Sequence, residues 1–196
     1  MWLKEIELTS KTVKLVPLRH EHADDLVTAS SDGNLFKLWF TSIPNQDTIT
    51  AFISQALNDQ EKGLSLPFVV IDKATNAIIG STRFCHADNI NKRVEIGHTW
   101  YAKSYQRSSV NTECKNLLLT HAFEELDAIA VEFRTHWHNH KSRNAILRLG
   151  AKQDGVLRNH QKIDGAFRDT VVFSIIESEW PTIKMSLSYM LTHSYV

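Results

Sequence analysis

The feature that most constrains this chain is a switch in hydrophobic period. Between residues 46 and 63, Ile49, Phe52, Ile53, Ala56 and Leu57 recur at helical spacing, with Asp47 as a candidate cap and Gly63 as a stop. From residue 66 to 102 the period drops to two. LPFVVID (66–72), AIIGSTRFCH (77–86) and RVEIGHTWYA (93–102) read as three strands joined by KATN and by ADNINK. Helical spacing then returns over 109–126, where Val110, Cys114, Leu117, Leu118, Ala122, Phe123 and Leu126 share a face. Such a chain can be neither all-helical nor all-strand, and its helices must pack on a meander of antiparallel strands. In the third strand, alternation assigns Val94, Ile96, His98 and Trp100 to one face and Glu95, Gly97, Thr99 and Tyr101 to the other.

The flanks extend the pattern. VKLVPL (13–18) reads as a strand and residues 19–31 as a helix, with Ala23, Leu26 and Val27 in its stripe. After the long helix come a strand at 130–137, a helix at 139–150 ended by Gly150, and strands at 150–159 and 168–177, with QKIDGAF between them as a loop. The fold class is α+β, one domain over 1–196, with a mixed central sheet of about seven strands and about four helices. Lys plus Arg equals Asp plus Glu at 22 each, so no bulk charge draws the chain to nucleic acid or to a membrane surface. Cys85 and Cys114 have no metal or disulfide spacing, the N-terminal MWLKEIELTSK has no apolar signal core, and no apolar run reaches membrane-spanning length. These features predict a cytoplasmic protein.

Three segments carry chemistry. YQRSSVNTE (105–113) is a glycine-poor, hydroxyl-rich bend between a strand and the start of the long helix. The first turn of a helix has unpaired N–H groups and a positive dipole end, so small side chains there let a phosphate approach the backbone. The alternative is an ordinary helix start capped by Ser108 or Ser109. NHKSRNAILRLG (139–150) places Asn139 at a strand-to-helix junction with Ser142 in the first helical turn. VEIGHTWYA puts the carboxylate of Glu95 inside a strand; its alternative is an exposed residue paired with Arg93 or Arg134.

Together these segments resemble the GNAT superfamily of acetyl-CoA-dependent N-acyltransferases, and are most similar to its ribosomal-protein N-terminal (Rim-type) branch. The resemblance runs over about residues 10–181 and leaves 182–196 as a C-terminal extension. It implies the GNAT fold, acetyl-CoA as acyl donor, no metal, and a primary amine as acceptor, either a protein N-terminus or a small molecule such as an amino-sugar, polyamine or aminoacyl compound. The family's phosphate loop, Gln/Arg-x-x-Gly-x-Gly/Ala, aligns with Gln106, Arg107, Ser108, Ser109, Val110 and Asn111, followed by Thr112; Ser109 and Asn111 take the small-residue positions. Backbone near Trp100 and Tyr101 would polarise the thioester carbonyl, and Asn139 and Ser142 would border the thiol end. Glu95 is implied as general base. Ser142 is implied as proton donor to the leaving thiolate, because the Tyr that serves elsewhere in the superfamily is Ile146 here. A CoA-binding module without turnover is the rival reading.

Trp39 and Phe40 lie in the loop where the family builds its acceptor pocket, and His136 lies at a strand end beside it. His136, His138 and His140 suggest a metal only weakly, since no Cys or carboxylate completes a set at ordinary spacing. The basic segment LRNHQKIDGAFRD reads as solvated, or as a rim for acceptor or CoA. The apolar residues of the tail, Met185, Leu187, Tyr189, Met190 and Leu191, would pack on the domain or on a partner chain, which leaves a homodimer open.

Overall fold

The computed structural model describes residues 1–163 and 165–193. Strands β1 (Leu8–Thr9), β2 (Val13–Pro17), β3 (Leu66–Asp72), β4 (Ile78–Asp88), β5 (Arg93–Tyr101), β6 (Ala130–His136), β7 (Lys152–Ile163) and β8 (Ala166–Ile176) alternate with helices α1 (Ala23–Ser31), α2 (Ile49–Glu61), α3 (Val110–Thr120), α4 (His140–Arg148) and α5 (Trp180–Thr192). The strands form one sheet in the order β1-β2-β3-β4-β5-β6-β8-β7. Neighbours run antiparallel except β5 and β6, which α3 connects as a parallel crossover.

The mixed α+β architecture matches the sequence reading, with one strand and one helix more. The extra strand is the two-residue β1, too short to leave a periodic signal. The extra helix is α5, formed by the apolar tail: Trp180, Ile183 and Leu187 are buried, and Phe123 stacks on Trp180 at 5.3 Å. Residues 194–196 of the expected extension lie outside the described residues. The expected loop 161–167 is instead hairpin, because β7 and β8 run on to Ile163 and Ala166; Asp164 lies outside the described residues. Most of β7 is exposed on both faces, so its side chains are polar without alternation and carry no strand signal. Asp47 does not cap α2; in the turn that leads into the helix, Asn45 Oδ1 accepts from the N–H groups of Asp47 and Thr48.

The core lies in two layers. On one sheet face Val94, Ile96, Leu118, Leu119, Phe133 and Leu187 pack with α3 and α5; on the other Leu18, Leu26, Ile53, Val69 and Trp100 pack with α1 and α2. Each fully buried side chain of this size contributes about 1.5–3 kcal/mol.

The alternation assigned to β5 breaks at His98. Ser81 pairs with Trp100 but Arg83 pairs with Gly97, so β5 carries one residue more than β4, and His98 takes a left-handed φ of 48°. An extra residue swaps the faces beyond it. Tyr101, not Trp100, therefore joins the Val94 and Ile96 layer, while Trp100 enters the α1–α2 layer.

Candidate active site

Strands β5 and β6 pair at only three positions, Arg93↔Ala130, Val94↔Val131 and Glu95↔Glu132. Beyond them β5 continues along β4 to Tyr101 and β6 along β8 to His136, so the two diverge into a wedge. Its mouth is bordered by the N-terminus of α3 on one side and that of α4 on the other.

Glu95 stands at the apex, 7% exposed. Its Oε2 lies 2.8 Å from His86 Nδ1 and 3.4 Å from Arg134 Nε. The hydrogen bond to Glu95 is the main influence raising the His86 pKa, against desolvation. Of the pairings foreseen for Glu95 it is Arg134 that approaches it, while Arg93 donates to Glu132.

The bend 105–109 is built by local hydrogen bonds. Gln106 Nε2 donates to the Tyr101 carbonyl at 3.0 Å, and Ser108 Oγ donates to the Tyr105 carbonyl at 2.6 Å. The single left-handed residue is Arg107, at φ 64° and exposed. Ser109 is at φ −68° and Asn111 is helical, so neither position needs glycine. Val110 is buried in the core, Asn111 half-buried, and Thr112 Oγ1 accepts from Arg148 Nη2 at 2.8 Å. The exposed face of the bend therefore offers Arg107, Ser108 and Ser109 beside the first-turn N–H groups of α3. That combination suits a phosphate.

Sequence reasoning missed the anchor beneath this bend. Glu113 accepts from Ser10 Oγ (2.5 Å), Thr12 N (2.9 Å), Thr12 Oγ1 (2.7 Å) and Ser109 Oγ (2.8 Å). Burial pushes its carboxyl upward, but the hydrogen bonds outweigh burial and hold its pKa below the usual range. Also missed was Lys115, 4% exposed, whose ammonium donates to Thr99 Oγ1 at 2.6 Å and approaches Thr82 Oγ1 at 3.5 Å. Burial brings its pKa down to about 8. Both residues look like ordinary helix-surface charges in sequence, and their partners are distant in the chain.

Asn139 caps α4, accepting from Ser142 N at 3.1 Å. Ser142 is half-buried, and among the described residues its hydroxyl has no hydrogen-bond partner. Trp100 and Tyr101 are both buried on opposite faces, with the Trp100 Nε1 unpartnered and the Tyr101 hydroxyl against the Cys114 thiol. The Ala102 N–H is already bound to the Ile79 carbonyl at 2.8 Å.

The residues foreseen on the acceptor side meet. Trp39 packs edge-on against Phe40 (5.6 Å) and His136 (5.0 Å), with His138 at 5.7 Å. His136 is buried and Trp39 is 71% exposed. Desolvation, then the nearby Arg168 and His138, lower the His136 pKa and favour the neutral ring. The His138 N–H donates to His136 Nδ1 at 3.0 Å, which places the neutral ring's proton on Nε2. A cavity of about 570 Å³ lies elsewhere, against Met1, Leu3, Glu5, Arg19 and Leu57, and contains none of these groups.

Comparison with known proteins identifies the family. Residues 12–152 match the acetyltransferase (GNAT) domain model. A GCN5-related N-acetyltransferase structure from Brucella melitensis superposes with TM-score 0.87 at 29% identity, covering 97% of this chain and 87% of that one. The Bacillus licheniformis protein p20, an uncharacterised N-acetyltransferase, is 26% identical over 88% of this chain and 97% of its own length. YdaF of Bacillus subtilis, provisionally named a ribosomal N-acetyltransferase, is 31% identical over 53% of this chain and 56% of its own. The match thus spans little more than half the length of YdaF.

Proposed function

The chain belongs to the GNAT acetyltransferases, acetyl-CoA-dependent N-acyltransferases, and from that premise we propose that it acetylates a protein N-terminal amine by direct attack in a ternary complex. The observation that carries this reading is the wedge that closes at a buried carboxylate and opens at a helix N-terminus. Arg107 and the first-turn N–H groups of α3 would hold the pyrophosphate, and Ser108 and Ser109 would add their hydroxyls only by releasing the Tyr105 carbonyl and Glu113. The diverging edges of β5 and β6 would hold the acyl arm. When bound, acetyl-CoA supplies the thioester acyl group.

Glu95 takes the proton of the incoming ammonium, since only the neutral amine attacks a thioester. His86, exposed and hydrogen-bonded to Glu95, passes that proton to solvent. Peptide N–H groups of the β5 edge stabilise charge on the carbonyl oxygen. Ser142, whose hydroxyl is uncommitted, donates a proton to the departing thiolate sulfur. The exposed Trp39 and neighbouring Leu38 leave the acceptor side open enough for a polypeptide, and the name given to YdaF favours such an acceptor.

Isothermal titration of acetyl-CoA into the wild type and Ser109→Glu tests the donor site. Binding should be lost when a carboxylate stands beside the phosphates; equal binding by both proteins rejects the cradle. Peptides with free N-termini and small amines, assayed with wild type, Glu95→Gln and Ser142→Ala, test the rest. The Glu95→Gln rate should fall about 10²–10⁴-fold. Acetyl-CoA binding without turnover on any amine would instead support the binding-module reading, and turnover on small amines alone would move the acceptor to that class.

A further inference from the structure

Among the described residues, one set of three or more potential metal-ligating side chains converges: Cys85, His86 and Glu95, whose donor atoms all lie within 4.8 Å of one another. A regular strand would send the adjacent Cys85 and His86 to opposite faces. The left-handed φ of His86, 50°, and the register shift after Cys85 turn both toward Glu95, which is the cross-strand partner of Cys85. Gly97 keeps the centre open. A Cβ built there would lie 2.9 Å from both Cys85 Sγ and Glu95 Oε1, so the two donors face one position that only glycine leaves free.

We propose that Cys85, His86 and Glu95 form a three-ligand site for a soft divalent cation, zinc in preference to magnesium or calcium, and that its occupancy inhibits acetyl transfer. The inhibitory part rests on the proposed role of Glu95 as general base. Sulfur, imidazole and carboxylate suit zinc, whereas magnesium and calcium need oxygen sets. Tetrahedral zinc holds such donors about 3.4–3.6 Å apart, given bonds of roughly 2.0–2.3 Å. The His86–Glu95 contact must therefore open slightly while the Cys85 sulfur draws in. The His86 side chain is 71% exposed and moves without repacking. Arg134 must release Glu95 and retains its 3.0 Å contact with Glu132. Burial and the Glu95 charge keep the Cys85 thiol protonated, and the cation would displace that proton. Zinc on Glu95 would occupy one carboxylate oxygen and lower the basicity of the other, so Glu95 would no longer take the ammonium proton.

The test is titration of the reduced, purified full chain with Co²⁺ and then Zn²⁺. One equivalent of Co²⁺ should produce a sulfur-to-cobalt charge-transfer band that Zn²⁺ abolishes and that Cys85→Ser lacks. Gly97→Ala should weaken binding roughly tenfold or more by filling the central position. His138→Ala should leave the band unchanged, which separates this site from the acceptor-side imidazoles. No saturable micromolar binding, or a band that survives in Cys85→Ser, overturns the site. In the transfer assay, zinc should inhibit the wild type over the range that fills the site and spare Cys85→Ser. A filled site with an unchanged rate overturns the inhibition and the base assignment together, leaving the metal site standing. If no amine is acetylated at all, the function fails while the cobalt spectrum still decides the site.

Discussion

Replacing Glu113 by alanine should cost the fold about 2–4 kcal/mol. The carboxylate ties the first turn of α3 to Ser10 and Thr12 at the start of β2, about a hundred residues earlier in the chain. Hydrogen bonds to a charged acceptor contribute about 1.5–3 kcal/mol each in isolation, and a buried donor left alone costs about 1–3 kcal/mol. The four do not add. The hydroxyls of Ser10, Thr12 and Ser109 can turn to water, whereas the Thr12 N–H cannot, so the total falls well below four full bonds. Glu113→Gln should cost only about 1 kcal/mol, because its amide oxygen can face Thr12 N and its NH₂ can donate to the Thr12 and Ser109 hydroxyls. In a domain of this size 1 kcal/mol shifts Tm by about 2–4 °C, so urea unfolding and thermal melts resolve the two variants. The folded-state pKa of Glu113 lies below its unfolded value, so its contribution is complete above about pH 4.3 and is lost as pH falls through the folded value. The gap between wild type and Glu113→Ala should close in that acid window. An alanine cost under about 1 kcal/mol, an equal cost for glutamine, or a gap that persists into acid would refute the reasoning.

Lys115→Met should stabilise the protein by about 1–3 kcal/mol at pH 7, since it removes a buried ammonium that has no carboxylate partner among the described residues and leaves Thr82 and Thr99 bonded to each other. Because burial lowers the Lys115 pKa to about 8, wild-type stability should rise relative to the variant between that value and about 10.4, where the unfolded chain binds the extra proton; a destabilised methionine variant would mean that the threonine contacts outweigh burial. Gly80→Ala should fail to fold or lose the β4–β5 register, because its Cβ would sit 2.2 Å from the Trp100 carbonyl oxygen; a native circular-dichroism spectrum and melt would contradict this. Trp39→Ala should raise KM for the amine and leave the acetyl-CoA Kd unchanged; a parallel loss of both would remove Trp39 from the acceptor side.

How much of this was legible in the sequence depended on burial. β3 and β5 bury apolar side chains against helices, so their strand character showed as period two or as an apolar run. β7, exposed on both faces, has no such mark, and the sequence of its far end reads as loop. The left-handed residues that shape the site are His86, His98 and Arg107. Because none is glycine, nothing in the sequence announced them, and the face swap at Trp100 and Tyr101 followed from one of them. The contact of Trp39 with Phe40 and His136 joins residues that the sequence reading grouped through the family resemblance rather than through any spacing of their own. The cluster around Glu95 and the anchor at Glu113 depend on tertiary pairing between segments whose sequences show no mutual dependence.

Three residue pairs hold the two halves of the sheet together between β5 and β6. Past them, two internal edges carry peptide groups with no strand opposite, the arrangement that at an outer edge recruits foreign chains. A ligand spanning both edges acts as a removable rung, adding RT ln(1 + [L]/Kd), about 2.7 kcal/mol at a hundredfold excess over Kd. The protein's survival against proteolysis would then follow the supply of that ligand, so a cell depleted of it would lose the protein itself as well as its activity.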